Sequence, residues 1–175
     1  MKKTIALVLL LTLVAGILLT SCGKNEPSAP SGMKTASGEG CDFYLFVPES
    51  WTVDFSTAAA GAYYSKNDPS SVSVTAWVLE HTDDTIDMWW DMNKGEIASV
   101  FNDFALVSEE NTTVDGLYAK KYIYTASLGE FKYKFMQVAT IKNATVYLLT
   151  YTATESTFDS HSEDVGKITE AFKIK

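Results

Sequence analysis

The chain has 175 residues, a formal net charge of −8 and a mean hydropathy close to zero, which fits one ordinary domain with a proper core rather than two. All fourteen basic residues are lysine against 22 acidic ones, so the planar guanidinium fork that captures phosphate or guanine is missing and the acidic balance argues against nucleic acid as a partner.

Lys2 and Lys3 precede an uncharged run, Thr4 to Thr20, dominated by Leu, Val, Ile and Ala. That is the order of a secretory leader. As a helix the run would measure roughly 25 Å, a little short of a comfortable bilayer span. Leu19-Thr20-Ser21-Cys22 closes it and resembles the lipobox of bacterial lipoproteins. The resemblance implies recognition of Leu19, Thr20 and Ser21 by a signal peptidase, removal of residues 1–21, and a diacylglycerol on Cys22. The alternative is an ordinary secreted protein cut near Ser21. Two acyl chains hold a protein stably where one would let it exchange. The acidic surface would add little attraction to anionic headgroups, so the lipid would supply the attachment.

Residues 22–40 then read as the lipidated cysteine and a flexible linker. Gly23 to Gly40 is rich in Gly, Ser, Pro and Lys, with Met33 as its one large apolar side chain, too little to order itself. Its mean reach is about 20 to 25 Å. A single domain is expected over 41–175. Cys41 is the only cysteine besides Cys22, so no intramolecular disulfide is expected after lipidation, and Cys41 reads as a small apolar residue rather than a reactive centre.

Phe43 to Val47, stopped by Pro48, and Trp51 to Phe55 read as a first strand with a kink or turn, with Gly61 to Ser65 pairing next. Val72 to Leu79 alternates, with Val72, Val74, Ala76 and Val78 on one face and Ser73, Thr75, Trp77 and Leu79 on the other. Between Asp84 and Asp103 the apolar spacing becomes helical, through Ile86, Trp89, Trp90, Ile97, Val100 and Phe101. Asp83, Asp84 and Asp87 suit its N-terminal end. Ser156 to Phe172 places Phe158, Val165, Ile168 and Phe172 on one helical stripe.

Leu106 to Thr152 holds three tight turns. Asp115-Gly116 is a type I′ signal, Gly129-Glu130 fits type II′, and Asn143-Ala144 is weaker because Ala disfavours positive φ. Two-residue loops fix the register. They oppose Leu128 to Phe131, Ala126 to Tyr133, Tyr124 to Phe135 and Tyr122 to Gln137 on an aromatic face. Ser127–Lys132, Thr125–Lys134, Ile123–Met136 and Lys121–Val138 share the other face, polar toward the hairpin tip and apolar further in. Glu110 falls opposite Lys121, Ile141 opposite Val146, and Val138 opposite Leu149. The fold class is therefore α+β: an antiparallel sheet of about six strands with a C-terminal four-stranded meander, sandwiched by helices.

Several of these features together resemble the PsbP family, the extrinsic photosystem II proteins and their bacterial relatives. They are the aromatic opening with Pro48 and Trp51, Val72-Ser73-Val74 before the first long helix, Asp115-Gly116 before the longest strand, the aromatic strand with Gln137, and the final helix ending in Phe172. The resemblance implies a helix-covered antiparallel sheet and an accessory or assembly role rather than an enzymatic one. No photosystem or metal-binding residue set carries over.

Chemical motifs are sparse. His81 and His161 lie on different elements without zinc-ligand spacing and read as surface residues; no G-x-S-x-G turn is present. Asp83, Asp84, Asp87 and Asp91 lack a calcium-loop pattern and read as helix capping. No metal and no cofactor are expected. Lys120, Lys132 and Lys134 form a possible basic patch or a solvated strand face. Asn111-Thr112-Thr113 and Asn143-Ala144-Thr145 match a glycosylation pattern that a bacterial leader makes incidental. Trp77, Trp89 and Trp90 are the candidate partner or ligand surface, although their spacing also suits a core. The functional expectation is a membrane-anchored extracytoplasmic lipoprotein that binds a protein or envelope component. The alternative is a small-ligand receptor or enzyme with a pocket between the tryptophans and the sheet.

Overall fold

The computed structural model describes residues 27–56 and 58–175. The leader, Leu19, Thr20, Ser21 and Cys22 lie outside them. The strands are β1 (Met33–Thr35), β2 (Phe43–Tyr44), β3 (Phe46–Pro48), β4 (Thr52–Val53), β5 (Gly61–Tyr63), β6 (Ser71–Val78), β7 (Asn102–Val114), β8 (Leu117–Leu128), β9 (Phe131–Lys142), β10 (Thr145–Thr154) and β11 (Lys173–Ile174). Helix α1 spans Ile86–Val100, and α2 (Ser162–Ala171) follows a short 3₁₀ turn at Phe158–His161.

Seven strands form one antiparallel sheet in the order β4-β5-β6-β10-β9-β8-β7. Its last four are the expected meander, in the expected register: Tyr122 faces Gln137, Glu110 faces Lys121 and Val138 faces Leu149. The turn residues explain why. Asp115 and Gly116 both have positive φ, Gly129 does too, and Asn143 and Ala144 sit at 52° and 58°.

One helix covers each face. On the aromatic face Ile86, Trp89 and Trp90 of α1 pack on Tyr122, Tyr124, Phe135 and Leu148. On the other, Phe158, Val165, Ile168 and Phe172 join Val72, Val74, Val138 and Leu149, with Phe43, Leu45, Val47 and Trp51 from the N-terminal strands. Each large apolar side chain fully buried this way contributes roughly 1.5 to 3 kcal/mol.

Three boundaries differ from expectation. Within the stretch expected as linker, Met33–Thr35 pairs with β3 and Ala36 is fully buried; non-local pairing orders a segment whose own apolar content is small. The first strand expected over Phe43 to Val47 and Trp51 to Phe55, with a kink or turn, is split: β2 pairs with β11 and β3 with β1, both outside the main sheet, while β4 joins its edge. Helix α1 is capped by Thr85, whose hydroxyl accepts from the Met88 amide at 3.2 Å, not by the neighbouring aspartates. The helix ends at Val100, which is exposed, and β7 begins two residues later. Among the described residues no helix is long and apolar enough to cross a membrane.

Candidate functional site

Helix α2 has ten residues and cannot roof its whole side of the meander. What it leaves is a groove of about 520 Å³ between α2 and β7 to β10. Ile123, Met136, Val138 and Tyr151 form the floor, and Phe158 and Val165 the helix-side wall. Gly166 keeps that wall low, since a Cβ there would meet nothing within 4 Å.

Charges ring the groove in compensated pairs. Lys121 Nζ lies 2.9 Å from Glu110. Lys134 Nζ lies 3.4 Å from Asp159 and 4.4 Å from the centre of the Phe158 ring. Glu170 adds an acidic group at the rim. Tyr151 donates its phenol hydrogen to the Phe158 carbonyl at 2.9 Å; burial pushes that phenol up to about 12. The floor is therefore neutral and apolar, which suits a hydrophobic group with a polar end.

Behind the groove lies a polar cluster that the separate histidine positions do not reveal. His161 is buried, not at the surface as expected, and its Nε2 sits 2.8 Å from Asp68 Oδ2. Its ring stands edge-on to Trp51 and tilts over Tyr64, with centroids 5.8 and 4.2 Å away. Ser70 donates to the other Asp68 oxygen from its hydroxyl at 2.6 Å and its amide at 3.1 Å. Burial works to raise the Asp68 carboxyl, but the Ser70 and His161 hydrogen bonds outweigh it and hold the group below the usual carboxylate range. The carboxylate is the middle member of this chain, whereas a nucleophile triad places histidine there. The cluster ties the β5–β6 loop to the start of α2. Among the described residues no group of three or more His, Cys, Asp or Glu side chains converges as a metal site.

The tryptophans singled out by sequence are buried or half-buried. Trp89 and Trp90 are 3% and 4% exposed, and Trp77 is half-buried against Trp89 at 5.7 Å. Trp90 stacks on Tyr122 with centroids 3.9 Å apart. They pack between α1 and the sheet. Trp89 Nε1, the Tyr122 hydroxyl and Gln137 Oε1 are buried on this side without a hydrogen-bond partner among the described residues.

Nor do the three lysines make a patch. Lys120 is buried on the α1 side and bridges Asp87 of α1 and Glu109 of β7. Lys132 and Lys134 pair with Ser127 and Thr125 on the opposite face. Asp91 is bound to Lys94, and His81 is exposed. Cys41 is half-buried against the core, its Sγ 3.5 Å from the Ala59 carbonyl. At the tip of the β8–β9 hairpin Leu128 and Phe131 are opposed and more than half exposed.

The groove was the missed feature. Its one sequence signal is the second face of the meander, where Ile123, Met136 and Val138 alternate with residues of the aromatic face and outnumber what a ten-residue helix can cover.

Seven antiparallel strands with a helix on each side, the last helix returning beneath the N-terminal strands, define a PsbP-like α+β fold. The cyanobacterial PsbP protein CyanoP from Synechocystis superposes with a TM-score of 0.61 at 15% identity, over 90% of this chain and 99% of that one. LpqN of Mycobacterium tuberculosis, whose structure is described as that of a protein involved in cell envelope biogenesis, gives 0.59 at 17% identity over 82% and 90%. No protein-family model matches the sequence, and no curated protein does.

Proposed function

We propose that the chain is a membrane-anchored extracytoplasmic lipoprotein whose domain serves as a binding or accessory module for a protein or envelope component. One observation carries the reading: Leu19-Thr20-Ser21-Cys22 closes an uncharged run behind Lys2 and Lys3. A diacylated Cys22 gives two chains, and two chains anchor stably. From Cys22 to Met33, the first strand residue among those described, the chain is long enough to let the domain stand clear of the headgroups. The fold shared with LpqN, a protein described by its part in cell envelope biogenesis, supports an envelope role.

Mass spectrometry of the protein from native membranes tests this. The expected result is an N-terminal Cys22 bearing diacylglycerol, with Cys22→Ala found in the medium. An unacylated terminus on a released protein overturns it.

The groove favours a second reading, a receptor for a small, largely apolar ligand. Its volume of about 520 Å³ lies in the range of ligand sites. A thermal-shift screen of small amphiphiles would raise Tm for a compound that enters the groove. Gly166→Leu, which fills the wall, would abolish that shift.

A further inference from the structure

We propose that the outer edge of β7, from Glu109 to Thr113, is a strand-addition site for an extended segment of a partner protein in which basic and apolar residues alternate. The inference rests on the binding-module reading above and specifies its surface.

The sheet ends in two unequal edges. β4 at one side has two residues, while β7 at the other has 13 and is exposed along nearly its whole length. The hairpin geometry tells which backbone groups face outward. A two-residue turn is closed by a pair that exchanges hydrogen bonds, here Val114 and Leu117, and such pairs alternate along an antiparallel ladder. Thr112 and Glu110 therefore bond to β8. Thr113, Asn111 and Glu109 point their N–H and C=O groups away from the sheet, a row of three donors and three acceptors that an incoming strand would satisfy.

Natural edges are blunted by bulges, proline or charged side chains, lysine above all, and the glutamates here guard against an acidic strand rather than a basic one. β7 has bulges in its first half only, between Asn102 and Ala105 and between Leu106 and Ser108. From Ser108 to Val114 the pairing is continuous and the sequence contains neither proline nor lysine. The guarded half and the open half lie on one strand.

Charge selects the occupant. Glu109 and Glu110 sit on opposite faces of the open half, and Asp87 joins Glu109 on Lys120, so three carboxylates meet two ammonium groups there. The Glu109 and Glu110 side chains remain 39% and 54% exposed. A second copy paired at this edge would bring two more glutamates and no lysine from its own strand, whereas a segment with lysine or arginine at alternate positions neutralises the excess. Thr112 and Thr113 also form a wall of the α2 groove. An apolar side chain on that face of the added strand leans toward the apolar floor at Ile123 and Met136.

The test selects a random dodecapeptide display library against the full chain and measures the recovered peptides by fluorescence anisotropy. The expected peptides alternate basic and apolar residues, and NMR-detected exchange of the Glu109, Asn111 and Thr113 amides slows on binding. Asn111→Pro removes an outward N–H and leaves the internal ladder intact; it should weaken binding at least tenfold. Should that variant not fold, Glu109→Gln, which removes the surplus carboxylate on the face opposite the groove, should weaken binding by at least threefold. Failure to enrich peptides, or affinity within twofold in the variant used, overturns the proposal. So does a dimer in sedimentation that Asn111→Pro abolishes, which would assign the edge to a second copy. Acylation of Cys22 is read separately, so a failed edge and a failed anchor are distinguishable.

Discussion

The indole Nε1 of Trp51 donates to Asp164 Oδ2 at 2.8 Å across 113 residues of sequence. Trp51 is 1% exposed and also stands edge-on to Tyr64 and His161. One side chain thereby joins the N-terminal strands, the β5–β6 loop and the start of α2. Replacing it with phenylalanine removes the hydrogen bond and leaves a void where the indole's second ring was. Trp51→Phe should lower unfolding stability by about 2 to 4 kcal/mol. Asp164→Asn, which can still accept, should lose no more than about 1 kcal/mol. Urea unfolding of the two variants separates the packing contribution from the bond.

The β9–β10 turn carries a correctable strain. Ala144 holds φ at 58°, in the left-handed region that costs an L-residue with a Cβ roughly 1 kcal/mol or more. Asn143 beside it tolerates that region better. Ala144→Gly should raise stability by about 0.5 to 1 kcal/mol. Gly116→Ala, at φ 76° in the equivalent turn position, should lower it by a similar amount. Opposite shifts in Tm, with no change in sheet content by circular dichroism, are the expected result.

Register was readable because three two-residue turns fix their own neighbours. Nothing in Asn143-Ala144 depends on the rest of the chain, and the pairing of Ile141 with Val146 follows from it. The features that escaped are those whose partners are far away. His161 is buried because Asp68, 93 residues earlier, meets it, and no local pattern announces that. Met33 and Ala36 lie in a stretch as polar as any linker, yet Met33 faces Pro48 and the Ala36 amide donates to Leu45. The groove exists because α2 is shorter than the face below it, a comparison of two elements that a one-dimensional pattern does not make.

Lys120 tests whether α1 is held by charge as well as by its tryptophans. Its side chain is 10% exposed and binds Asp87 and Glu109; their carboxylates, the larger influence, hold the ammonium well above the usual lysine range against the opposing effect of burial. Lys120→Met keeps the stem and leaves two carboxylates facing each other. Because those carboxylates are partly solvated, the loss should be about 1 to 3 kcal/mol rather than the larger figure for a fully buried pair. Adding Glu109→Gln should restore part of it. A double-mutant cycle in urea measures the coupling.

Asp115 links the β7–β8 turn to the C-terminal strand. It accepts from Lys173 Nζ at 2.9 Å and from the Ile174 amide at 3.1 Å. Burial alone would raise its carboxyl, but those two donors and the charges of Lys173 and Lys142 outweigh it, so the folded value lies below the ordinary 3.8. A carboxyl depressed in the folded state contributes stability that is complete above its unfolded value and is lost as pH falls through the folded one. Asp115→Asn keeps an acceptor for Ile174 and suits the positive φ of 50°, but it abolishes the charge. The variant should be about 1 kcal/mol less stable than the parent at pH 7. That gap should close as pH falls from about 4 toward 2, where the parent's own carboxyl takes up a proton. Denaturant melts at pH 7, 4 and 2 check the sign: a gap that widens in acid would mean the carboxyl is protonated more readily in the fold than outside it.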